Sequence, residues 1–291
     1  MTTETTSLDF ISNAIDSKGP LQWKEPLLVG VSGPQGSGKS YLTSHLALQL
    51  QRKYPNLNII QFSIDDFYLT RADQAQLTQE SKLDDNHLLQ GRGLPGTHDL
   101  PLLTSVLDSL ISNYTNTSWT PVRVPFYDKS AYGGLGDRST TDYQNVYRPA
   151  DVIICEGWFT GFTPVSADLT RLKYLTHSPD SIVQRHKLYQ IEDINERLRA
   201  YVPIWQTFAI FIVLKTDSIL DVYEWRLEQE HWLIQMKGEG MNDEQVTRFI
   251  DRYMPVYELY YDTLCDKGLP DSKCLIMEID IKRNMKSYKF L

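Results

Sequence analysis

Residues Gly33-Pro34-Gln35-Gly36-Ser37-Gly38-Lys39-Ser40 have the G-x-x-x-x-G-K-[ST] spacing with which a backbone wraps a chain of phosphates. Glycines let such a segment turn so that successive N–H groups face phosphate oxygens. Lys39 is spaced to reach the β- and γ-phosphates, and the Ser40 hydroxyl to ligate Mg²⁺. The segment, with Tyr41 next to it, is therefore expected to bind a nucleoside triphosphate. Two acids could serve the chemistry. Asp65, in Ile64-Asp65-Asp66-Phe67-Tyr68, is placed to accept the proton of an acceptor hydroxyl or to hold Mg²⁺ through water. Glu156, in Cys155-Glu156-Gly157, ends an apolar run where an acid meets the magnesium water shell, with Glu in place of the usual Asp. Arg92, Arg123, Lys129, Arg138, Arg226 and Lys237 are the cations available to neutralise a transferring phosphoryl group. Arg226 precedes the Gly238-Glu239-Gly240 interruption, which reads as the hinge of a lid over about residues 225–242.

These groups need strands to carry them and loops to aim them. Leu27–Ser32 is a short apolar run, expected as a buried strand, and residues 41–53 have helical apolar spacing. Further strands are expected at 58–63, 123–125, 152–155, 208–214 and 274–281, with helices near 101–112, 181–199, 217–235 and 243–262. That alternation predicts an α/β fold with a central parallel sheet and helices on both faces. Ligands in such sheets bind beyond the carboxyl ends of the strands, so the loops leaving those ends are where chemistry is expected. No repeat or linker divides the chain, so residues 1–291 are expected as one domain, with 1–7 a disordered tail. Residues 64–100 and 126–148 carry glycines among polar residues and are expected as irregular insertions that form an acceptor pocket.

A net charge of −8 over 291 residues argues against a nucleic-acid surface and leaves room for a locally positive anion site. No 18-residue apolar stretch is present, so no membrane partner is expected. The polar Thr-rich start lacks a signal pattern. With three widely spaced cysteines it points to a cytoplasmic protein with reduced thiols, nuclear access remaining open. The six histidines show no metal-binding spacing, and the sequons at Asn113 and Asn116 are treated as coincidental. A monomer or homodimer is expected.

Several segments together resemble the plant-type D-glycerate 3-kinases, a branch of the phosphoribulokinase, uridine kinase and pantothenate kinase group of P-loop kinases. They are Gly33–Ser40, residues 63–68, Gly91-Arg92-Gly93-Leu94-Pro95-Gly96-Thr97-His98-Asp99, and Pro125-Phe126-Tyr127-Asp128-Lys129-Ser130 with Gly136-Asp137-Arg138. Cys155-Glu156-Gly157-Trp158, residues 225–230 with Gly240-Met241, and Arg252-Tyr253-Met254-Pro255 complete the match, in order over about residues 27–260. The resemblance implies a P-loop NTPase fold with a helical lid, ATP and Mg²⁺ as cofactors, and a small hydroxyl-bearing acceptor. It aligns Asp65 with the catalytic base of the wider group. It places Arg92, the rest of the 91–99 loop with His98, and Asp128, Lys129 and Arg138 on the acceptor side; Asp66 and Tyr68 are taken with them. The expected catalytic set is Lys39, Asp65, Glu156 and Arg226, with Ser40, Asp65 and Glu156 at the metal.

Two other functions fit parts of the pattern. One is an ATP-binding regulatory protein of kinase fold without turnover. The other is a GTPase-like switch, for which Leu214-Lys215-Thr216-Asp217 lacks the base-reading Asn.

Overall fold

The computed structural model describes residues 2–19, 23–116, 118–238 and 240–291. In chain order the elements begin with α1 (Thr3–Lys18), β1 (Leu27–Ser32), α2 (Lys39–Lys53), β2 (Ile59–Ser63), α3 (Arg71–Leu83) and α4 (Leu100–Ser112). There follow β3 (Val122–Asp128), β4 (Asp137–Val146), β5 (Val152–Gly157), α5 (Ala167–Thr176), α6 (Leu188–Leu198) and α7 (Val202–Trp205). The chain ends with β6 (Ile210–Thr216), α8 (Asp221–Lys237), α9 (Asp243–Asp251), α10 (Met254–Lys267), β7 (Lys273–Ile279) and β8 (Met285–Phe290).

Six strands form one sheet in the order β2-β5-β1-β6-β7-β8. The first five run parallel; β8 returns antiparallel to β7 at the edge, through a tight turn at residues 280–284. Alternation along the strands sends side chains to two cores. Val29, Val31, Ile154, Ile212 and Met277 pack with Ile11 and Ile15 of α1 and Leu42, Leu46 and Leu50 of α2. Leu28, Ile153, Phe211 and Ile276 pack with Leu107 of α4, Ile194 of α6 and Tyr257 of α10 on the other face. Each such side chain, once fully buried, contributes roughly 1.5–3 kcal/mol, so the sheet is a rigid platform between two apolar layers.

The strand order decides where chemistry can occur. β5 lies between β2 and β1, with Ser63 opposite Glu156 and Ser32 opposite Gly157. The segments leaving β1, β2 and β5 therefore emerge side by side, which brings Ser40, Asp65 and Glu156 together from three distant parts of the chain.

Several expectations need correction. Residues 3–7, expected to be disordered, start α1, whose first turn is capped by Thr2. Met1 lies outside the described residues. The segment 64–100 is irregular only in its second half, for its first holds a short 3₁₀ turn at Ile64–Phe67 and the whole of α3. Residues 126–148 hold the end of β3, the connecting turn and the whole of β4, paired antiparallel. The helix expected over 243–262 is two, α9 and α10, because Pro255 sits in the first turn of the second and can donate nothing to the first.

Candidate active site

The phosphate loop links β1 to α2. Gly36 and Gly38 have φ of +83° and +88°, a region costly for any residue with a Cβ. At Gly36 a Cβ would also stand 2.4 Å from Cβ of Trp225, so no side chain fits there. Gly38 is the N-cap of α2 and offers no side chain to its first-turn amides. Those N–H groups, with the positive end of the helix dipole, form an anion site. The Gln35 N–H donates to the Tyr257 hydroxyl (3.0 Å) on α10, which fixes the outer limb of the loop. Lys39 starts α2 and lines the adjoining cleft, with no ion pair among the described residues.

Ser40 Oγ donates to Glu156 Oε1 at 2.8 Å. Glu156 is 5 % exposed, and its second oxygen has no hydrogen-bond partner among the described residues. A buried carboxylate oxygen left in this state costs free energy unless a cation or water completes it. The hydroxyl–carboxylate pair thus fits a magnesium ion held directly or through water.

Asp65 follows β2 on the 3₁₀ turn, capped by Ser63, whose Oγ accepts the Asp65 N–H. Asp65 Oδ1 accepts the Tyr68 hydroxyl at 2.9 Å and Oδ2 accepts Lys129 Nζ at 2.5 Å. Burial raises this carboxyl, but the Lys129 ammonium outweighs burial and holds it at about 2. Both Asp65 oxygens thus accept from side chains, Tyr68 and Lys129, whereas Glu156 keeps one oxygen without a partner among the described residues. Asp66 does not face the cleft. Its carboxylate accepts the Ser63 N–H (3.1 Å) and the Tyr127 N–H (3.3 Å), tying the turn to β3.

One cleft of about 1960 Å³ runs from the phosphate loop past Asp65 to α8 and α9. Its walls carry nine Lys or Arg against four Asp or Glu, in a protein whose net charge is −8, so the cleft favours anions. Of the expected acceptor residues, Tyr68, Arg92 and Lys129 line it; Asp66, His98, Asp128 and Arg138 do not. Arg138 donates to Asp99 Oδ2 and the Tyr68 carbonyl, both at 2.9 Å. Asp128 Oδ1 accepts from Ser130 N and Oγ and shapes the turn after β3. Arg92 is scaffold as well as wall: its guanidinium donates to the carbonyls of Lys129 (3.2 Å), Gly134 (2.8 Å) and Leu135. Arg123 sits over the Tyr143 ring, away from the cleft. Arg226 does line the cleft, paired at 2.7 Å with the buried Glu230 on α8. The side chain of Lys237, and all of Glu239, lie outside the described residues.

No family model matches the chain. A Saccharomyces cerevisiae protein named "Probable ATP-dependent kinase TDA10" is 41% identical over 294 residues, covering 98% of this chain and 96% of its own. The chloroplastic D-glycerate 3-kinase of Arabidopsis thaliana is 37% identical over 264 residues, 89% of this chain and 54% of that protein. The solved structure of a D-glycerate 3-kinase from Cryptococcus neoformans superposes over 100% of both chains with a TM-score of 0.87 and 36% identity.

The chain belongs to this family of P-loop kinases.

Trp158 and Arg252, quoted in the sequence only as part of the resemblance, and Arg283, which sequence reasoning passed over, support the cleft from outside the expected site set. Trp158 donates its indole N–H to the Gly93 carbonyl (3.0 Å), and Arg252 donates to the carbonyls of Gln90 (2.7 Å) and Arg92. Together they fix the 90–93 loop. Arg283, in the turn before β8, donates Nε to the Gly36 carbonyl (2.7 Å) and a second N–H to Glu228 on α8 (2.8 Å). Its guanidinium lies 5.3 Å from the Trp225 ring centroid, so the kinase's phosphate loop is braced from the far end of the chain. Arg283→Ala is expected to raise KM for ATP roughly tenfold, the worth of one charge-assisted hydrogen bond, and to leave the acceptor KM alone. Initial rates at varied ATP check this; an unchanged ATP KM contradicts the brace.

His98, expected on the acceptor, is buried behind it. Nδ1 meets the Tyr201 hydroxyl at 2.9 Å, Nε2 has no partner among the described residues, and the ring stacks on Tyr68 at 4.4 Å. Burial pushes the imidazole down from 6.5 to about 4; nearby Asp65 raises it and Lys129 lowers it. The unfolded chain takes up this proton below pH 6.5 and the folded one does not until about pH 4. His98 therefore lowers stability as pH falls across that window. His98→Gln is expected to flatten the loss of stability between pH 6.5 and 4 in urea titrations; an unaltered slope counts against a neutral buried imidazole.

Proposed function

We infer that this kinase transfers the γ-phosphoryl group of ATP to a hydroxyl of a small hydroxy acid, with glycerate the first acceptor to test. The observation that carries the reading is the excess of cations in the cleft that joins the uncapped start of α2 to Asp65. It suits a triphosphate at one end and a carboxylate at the other. Loop amides and Lys39 hold the β- and γ-phosphates. Ser40 and Glu156 would hold Mg²⁺, whose charge would offset that of the phosphate oxygens. Asp65 takes the hydroxyl proton as the acceptor oxygen bonds to the γ-phosphorus. The bond from that phosphorus to the β,γ-bridging oxygen breaks, and ADP leaves with the electron pair. Arg226, released from Glu230, neutralises the equatorial oxygens as residues 225–242 close as a lid on the rest of a single 1–291 domain. D-glycerate 3-kinase as the name of two relatives supports glycerate as the acceptor. No described helix is long and apolar enough to cross a membrane, which fits an acceptor taken from solution.

The test is ADP release with Mg·ATP across hydroxy acids, sugars and nucleosides. Turnover with glycerate above all sugars and nucleosides is expected. Turnover confined to uncharged acceptors overturns the assignment.

A further inference from the structure

The oxygens of Asp65 are both occupied. A base that takes a proton from an acceptor hydroxyl needs an oxygen directed at that hydroxyl, so one donor has to give way. Tyr68 is 4 % exposed and pinned by its stacking on His98, and cannot leave. The Lys129 side chain is 56 % exposed and spans open cleft to reach Asp65, which is 17 % exposed. Its main chain is fixed at the hairpin by Arg92, so only the flexible stem and ammonium move. Only the Lys129 end of the pair stands in the open cleft, so the ammonium can leave Asp65 only when another anion takes it.

We propose that Lys129 is a latch on Asp65 that an anionic acceptor releases: the acceptor's carboxylate takes the ammonium, and its hydroxyl takes the vacated Asp65 oxygen. This extends the hydroxy-acid reading above and rests on it. The latch answers a problem common to kinases, hydrolysis of ATP when no acceptor is bound. For water to react, its oxygen must bond to the γ-phosphorus, the bond to the bridging oxygen must break toward ADP, and Asp65 must take the proton. With Lys129 seated, the carboxylate is neutralised and its acidity is strengthened far beyond that of a working base. Water and neutral alcohols carry no charge with which to draw the ammonium off; a hydroxy acid does. Lys129 thus selects the acceptor class and guards the nucleotide.

The experiment compares the parent with Lys129→Met, recording ADP release without acceptor, with glycerate, and with glycerol, which keeps the hydroxyls and lacks the carboxylate. Unchanged thermal unfolding and ATP affinity serve as the folding control. The Met variant is expected to hydrolyse ATP about tenfold faster than the parent without acceptor, a fraction of what a general base contributes. It is also expected to lose most of its preference for glycerate over glycerol. If it loses glycerate turnover while hydrolysis stays at or below the parent level, Lys129 is a carboxylate contact only and the latch is wrong. If the parent phosphorylates no hydroxy acid, the acceptor assignment fails by itself, and the hydrolysis rates still decide the latch.

Discussion

Asp65→Asn is expected to bind ATP as the parent does and to lose phosphoryl transfer by about 10²- to 10⁴-fold, the range contributed by a positioned general base. Asn keeps the size of the side chain and an oxygen for the Tyr68 hydroxyl. It has no charge for Lys129 and cannot accept a proton at neutral pH. The turn that carries it stays intact, because Ser63 and Asp66 hold that turn through backbone N–H groups. Folding and nucleotide affinity are therefore separable from turnover at this residue. Rapid-quench measurement of the chemical step, beside equilibrium ATP binding, makes the separation visible. Equal chemical rates in the two proteins would remove Asp65 from the reaction.

Lys39→Ala is expected to act at the other end of the cleft and in the opposite pattern. Its ammonium sits at the start of α2, where loop amides and the helix dipole already favour anions. Removing it takes away a charged donor from the cleft wall beside the loop. A loss of about 10²- to 10³-fold in kcat/KM for ATP is expected, the scale found when one preorganised donor to developing negative charge is deleted. The fold should persist, since α2 packs through Leu42, Leu46 and Leu50 rather than through Lys39. An ATP affinity equal to the parent's would move the triphosphate elsewhere.

The nucleotide half of this site was legible in the residues because it is built locally. Strand, glycine loop and helix are contiguous from Leu27 to Lys53, and the glycines are dictated by positive φ that other residues resist. Asp65 and Glu156 could be found because apolar strands ending in acids mark a sheet's carboxyl edge. The acceptor half was less legible. Asp66, His98, Asp128 and Arg138 have the polar character of binding residues, yet they hold backbone amides, a hydroxyl or a carboxylate and so shape the walls. Sequence cannot tell a polar group that meets a ligand from one that supports the group that does.

Secondary structure failed for a related reason. α3 buries only Gln74 and Ser81, so it has no apolar stripe to betray it. β4 is exposed over most of its length and is held by its pairing with β3, with no inward face of its own. Arg283 belongs to no motif. It reaches the phosphate loop only because the β7–β8 turn comes back beside Gly36, a contact across 247 positions of sequence.

The structure of the protein with Mg²⁺, a non-hydrolysable ATP analogue and glycerate tests the central claim most directly. The expected result is a triphosphate wrapped by the amides of residues 33–40, its γ-phosphate between Lys39 and Asp65, with Lys129 moved from Asp65 to the acceptor carboxylate. A γ-phosphate directed away from Asp65, or an analogue bound outside that loop, would contradict it.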